Sequence, residues 1–137
     1  MSREANITAQ EQLAEALNSG DVDAAAGFFS EDSVDHDPAD GQGPGRDGYR
    51  TFFETLTTAF PDAKLEPATL VADDEHVSVA YTLSGTHKGE FHGIAATDKR
   101  FEVRGVQIGR FENGKIAERW GSTDELGILS QLGAELS

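Results

Sequence analysis

Up to Phe60 the apolar residues recur every three or four positions, and from Lys64 onward they alternate one by one. The first period belongs to helices with one buried stripe, the second to strands with one buried face. Residues 5–19 hold good helix formers, with Ala9, Leu13, Ala16 and Leu17 as the stripe and Gly20 as the stop. Asp21 is placed to cap a short second helix reaching Phe28 and Phe29, after which residues 33–36 read as a brief extended piece. The run DPADGQGPGRDG at 37–48 has the Pro and Gly content of an irregular loop. Tyr49, Phe52, Phe53, Leu56 and Phe60 then mark a helix over 46–60, which Pro61-Asp62 ends.

The alternating half predicts strands at 64–72, from Val77 through Leu83 towards His87, at 100–111 and at 115–123. Pro67 demands an edge position or a bulge, and Asn113-Gly114 is a hairpin turn. Leu126, Leu129 and Leu132 form the expected apolar side of a closing helix stopped by Gly133. Helices first and antiparallel strands after give a single α+β domain over 1–137, its sheet curved at Pro67, Gly105 and Gly109 enough to enclose a pocket.

Composition narrows the function classes. The 25 acids against 11 Lys and Arg leave a charge of −14, which repels nucleic acid and anionic membrane, so neither is an expected partner. Such an acidic chain fits a halophilic, high-salt setting as well as an acidic mesophilic one. With no cysteine there is no disulfide, thiol nucleophile or thiolate metal site. No apolar run nears the ~20 residues of a membrane span and the polar start is no signal peptide, so the expected location is cytoplasmic.

Candidate chemistry gathers at the end of the chain. Strict alternation along the last strand places Ile116, Glu118, Trp120, Ser122 and Asp124 on one face, which Ile116 marks as covered. A carboxyl there loses solvation and becomes a plausible general acid or base. Ser122 and Glu125 equally form a capping box, and an acid in the first helical turn suits the helix dipole. His36, between two acids, could exchange a proton near neutral pH or sit solvated in its loop, and His87 shares parity with the apolar Val77–Leu83 face. His87, Glu90 and His92 lack the helical spacing of a metal site, and no phosphate-binding or dinucleotide motif is present, so no metal and no cofactor is expected.

Four segments, DHDP at 35–38, AFPD at 59–62, GTHKGEFHGI at 85–94 and the tail GKIAERW…D…LG.L.QLG, occur in an order and spacing that resembles the SnoaL-like polyketide cyclases (ester cyclases) of the nuclear transport factor 2-like superfamily. The resemblance implies a curved, mostly antiparallel sheet wrapped by about three helices into a cone around an apolar pocket, and homodimers or higher homo-oligomers. It implies ring closure by intramolecular aldol chemistry on a small apolar carbonyl compound, without metal or cofactor. Under it Asp124 is the catalytic acid/base, with His36 and His87 as catalytic residues that orient or polarise the substrate. Trp120, Tyr81, Phe91, His92, Arg104 and Gln107 are the expected substrate-binding residues. This chain departs from relatives at Ala80, where many carry Arg, and at Gln107 and Arg110, where antibiotic-pathway cyclases can place histidine. A non-catalytic small-molecule binder, or an isomerase, dehydratase or hydrolase, would use the same fold.

Overall fold

A computed structural model describes residues 2–134. Ser2 starts α1 (Arg3–Asn18) by accepting the Ala5 amide, and Asp21 starts α2 (Val22–Ala26) by accepting that of Ala24. Gly27 closes α2, so Phe29 does not extend the helix but opens β1 (Phe29–Asp35), earlier than the expected piece at 33–36. The cause is tertiary: the Ile116 amide donates to the Phe28 carbonyl and Ile116 pairs with Phe29. There follow α3 (Gly45–Ala59), β2 (Lys64–Ala72), β3 (His76–Thr86), β4 (Arg100–Glu112), β5 (Lys115–Thr123) and α4 (Glu125–Gln131).

The strands form one sheet in the order β1-β5-β4-β3-β2, antiparallel except where β1 runs parallel to β5. Pro67 lies on the edge strand β2, where pairing with β3 also skips a residue between Pro67 and Thr69. Asn113 and Gly114 turn β4 into β5 with φ of 52° and 79°, the positive values such a tight hairpin needs. On β4, Phe101, Val103, Gly105, Gly109 and Phe111 are buried while Glu102, Arg104, Val106 and Ile108 are exposed. Helices therefore cover one face of the sheet and leave the other bare.

Two apolar clusters fill the covered side. One joins Phe60, Phe91, Phe101, Tyr81 and Ile128; the other joins Leu13, Phe29, Tyr49, Phe53, Phe111 and Ile116. The closing helix contributes Ile128, Leu129 and Leu132, whereas Leu126 is 64% exposed. Leu126 precedes Ile128 by two positions, about 200° around a helix, so both cannot face the core. Two of the quoted motifs brace this end. The Ala59 carbonyl accepts the amides of Lys88 and Gly89, and the Asp62 carboxylate accepts the Thr86 amide and hydroxyl, both at 2.7 Å.

Candidate active site

Between the clusters lies a cavity of about 620 Å³, walled by Leu13, Leu17, Phe52, Phe53, Leu56, Val79, Leu83 and Phe91 among others. Its polar contents follow from one irregularity. Phe111 pairs with Ile116 but Arg110 pairs with Glu118, so β5 bulges by one residue at Ala117. Beyond a bulge the alternation changes face. Arg119, Gly121 and Thr123 therefore line the cavity, while Glu118 and Trp120 turn to the bare face.

Arg119 meets Asp35 from the neighbouring β1, with Nη1 at 3.0 and 3.2 Å from the two carboxylate oxygens. The pair is largely withdrawn from water, the side chains being 15% and 7% exposed. Asp35 also accepts the Asp37 amide and the Gln42 side-chain amide, each at 3.0 Å. Arg119 Nε donates to Gln107 Oε1 at 2.9 Å. That leaves Nη2, from which no described residue accepts. It lies beside Gly121, where an added Cβ would come within 2.6 Å of it. The missing side chain thus leaves two charged N–H donors uncovered toward the cavity.

Hydroxyl residues also belong to the lining, among them Tyr81, Thr123 and Tyr49. Tyr81 Oη and Thr123 Oγ1 are 2.6 Å apart. Tyr49 is buried against Phe29, and its hydroxyl is bonded to Ser33 at 3.4 Å. Burial is the main reason the Tyr49 phenol is pushed up to about 12.

Several expected site residues lie elsewhere. Asp124 is exposed and is the N-cap of α4, its Oδ1 accepting the Gly127 amide at 2.8 Å. It does not line the cavity, because the bulge gives the covered face to Thr123. His36 is exposed on the bare face, its ring stacked on Trp120 at 4.8 Å and its Nε2 2.8 Å from Glu118. The His36 bond, then that of Arg110, holds Glu118 below the usual carboxylate range. Trp120 is thus no pocket wall, and Arg104 is exposed on that same outer face.

His87 is fully buried outside the lining, with Nδ1 accepting the Thr97 amide at 3.3 Å and meeting the Thr97 hydroxyl at 2.9 Å. It ties down the 87–97 loop. Tyr81, Phe91, His92 and Gln107 do line the cavity. Among the described residues no three His, Asp or Glu side chains converge as a metal site would require. Arg119 has no local signature and reaches the cavity only through the bulge, whereas Asp35 stands in the quoted DHDP segment, where His36 drew the chemical reading.

A helix-covered sheet enclosing an apolar cavity with a charged pair at one side defines an α+β protein of the nuclear transport factor 2-like kind. Residues 7–132 match the SnoaL-like polyketide cyclases, and the chain belongs to that family. It is 29% identical over 128 residues to the aklanonic acid methyl ester cyclase DnrD of Streptomyces peucetius, covering 89% of this chain and 86% of that one. The fold matches TsrD of Streptomyces laurentii with a TM-score of 0.89 at 27% identity, over 98% of this chain and 99% of the other. The fold also matches IdmH of Streptomyces antibioticus with a TM-score of 0.80 at 28% identity, over 94% of this chain and 99% of that one.

Proposed function

We propose that this protein is a cyclase-type enzyme acting in the cavity on a small, uncharged, mostly apolar carbonyl compound, with Asp35 as base and Arg119 as electrophile. The carrying observation is the free edge of Arg119, opened by Gly121 beside a carboxylate inside an apolar cavity. A carbonyl oxygen on Nη2 would have its developing enolate charge met by the guanidinium. Asp35 would take the proton from the neighbouring carbon, releasing Gln42 or the Asp37 amide as it does so. The resulting carbanion adds to a second carbonyl of the same molecule, and the proton returns to the new alkoxide. Among the described residues the lining holds Arg119 as its one Lys or Arg, against Asp35, Asp37, Asp40 and Glu125, which favours an ester over a free acid.

The filled acceptor positions of Asp35 favour a second reading, a non-catalytic binder of the same ligand class. Methyl benzoylacetate, an aryl β-keto ester, separates the two. In heavy water an enzyme speeds deuterium uptake at the carbon between the carbonyls above the buffer rate, and Asp35→Asn lowers that acceleration by about 100-fold or more while binding persists. Binding without acceleration by the unaltered protein leaves only the binder. Aklanonic acid methyl ester, named for the relatives, is the compound to assay for ring closure.

The bare sheet face is assigned to a second copy of the chain. Val71, Ser78, Ile108 and Trp120 form one row across it, and Ala80, Val106 and Ser122 lie in the next. Flanking Arg104, Arg110, Glu102 and Glu118 offer both signs of charge, as a two-fold contact needs.

A further inference from the structure

Tyr81, Gly105 and Thr123 stand in one row across β3, β4 and β5. Tyr81 and Thr123 are two strands apart, roughly 9.6 Å between backbones. Their hydroxyls nevertheless meet at 2.6 Å. Gly105 is what permits this. A Cβ there would lie 2.6 Å from both Cζ and Oη of Tyr81, so the ring crosses the space a side chain on β4 would fill.

The two hydroxyls carry two O–H donors, and the bond between them uses one. No described residue accepts the other. Tyr81 is 5% exposed, and both residues line the cavity. A donor left over in such a place is an invitation to an acceptor oxygen, because an unmet one costs free energy. Along β5 this pair lies four residues from Arg119, about 13 Å of strand less the inward reach of the side chains. The row between them holds Val79, Gln107 and Gly121, and the Gln107 side-chain oxygen is already taken by Arg119 Nε. Leu13, Leu17, Phe52, Phe53 and Leu56 make the rest of the lining largely apolar.

We propose that the Tyr81–Thr123 hydroxyl pair is a second oxygen-recognition station, which hydrogen-bonds a carbonyl at the end of the substrate remote from Arg119 and so sets its orientation in the cavity. The substrate class is thereby narrowed to compounds bearing oxygen functions at both ends of an apolar body. This rests on the cavity being the substrate site, as argued above.

Two matched probes test it: methyl para-acetylbenzoylacetate and its para-ethyl counterpart, which share the keto ester and differ only in the remote carbonyl. Calorimetry on the unaltered protein is expected to give the acetyl probe about five- to tenfold tighter binding, the worth of one neutral hydrogen bond. The Tyr81→Phe/Thr123→Val double variant removes both hydroxyls together while keeping the volume, and the two probes should then bind equally. Each single variant keeps one hydroxyl and should keep part of the preference. Unchanged affinity for the ethyl probe reports that the cavity is intact. Equal binding by the unaltered protein, or a preference that survives in the double variant, overturns the proposal. Deuterium uptake, followed on both probes, reports separately on the keto-ester end, so loss of the catalytic reading is distinguishable from loss of this one.

Discussion

The ring of Tyr49 stacks on that of Phe29 with centroids 3.7 Å apart, and the residue is 2% exposed. Its ionisation is therefore coupled to folding. With the phenol near 10 in the unfolded chain and about 12 in the fold, the unfolded state loses its proton first as pH rises. Stability is fully present below pH 10 and falls as pH rises towards 12, by about 2–3 kcal/mol if burial is unrelaxed. Urea melts across that window should display the fall, and Tyr49→Phe should flatten it. The charged pair obeys a different rule. A buried Asp35–Arg119 bridge contributes little net stability, yet removing one member alone strands a charge. Such residues are hard to find in a sequence. Asp124 and Trp120 stood out for chemical type and apparent face and His36 for chemical type alone, whereas nothing local set Arg119 apart. A single bulge at Ala117 exchanged the faces of Trp120 and Arg119, whereas His36 follows β1 and lies beyond its reach.

At the scale of elements, most of the architecture was legible. The change from helical to alternating period falls at Lys64, where β2 begins, and Asn113-Gly114 marked its turn by composition alone. What stayed hidden depended on partners far along the chain. Phe29 belongs to β1 because β5 binds there, and the register of β5 shifts because β4 faces it. The junction of α3 with β3 permits a test. Asp62 is held below the usual carboxylate range, first by the Thr86 hydroxyl and then by its amide. The stabilisation exists above the ordinary carboxylate range near pH 4 and disappears as pH drops through the lowered value. Asp62→Asn should therefore be less stable at pH 7 and lose part of its acid dependence below pH 4, which thermal melts at several pH values would record. An acid dependence identical to that of the unaltered chain would assign Asp62 no part in it.

For the whole molecule, the sheet has two unlike faces: the covered one encloses the cavity, and the bare one is the face proposed for a second copy. Val34, Val71, Val106 and Ile108, four of the five exposed large hydrophobics among the described residues, lie on strands of this sheet, and at least three occupy the outer rows. Val106→Asp with Ile108→Lys should shift the mass seen by light scattering from dimer to monomer and leave ligand binding in place. An unaltered chain that is monomeric at high micromolar concentration would remove the assigned contact. The central claim concerns which carboxylate moves the proton, and deuterium uptake by methyl benzoylacetate in Asp35→Asn and Asp124→Asn tests it most directly. The account predicts that Asp35→Asn loses the acceleration, and that Asp124→Asn keeps it with only about 1 kcal/mol or less of stability lost from its cap. Full acceleration in Asp35→Asn together with its loss in Asp124→Asn would contradict the account.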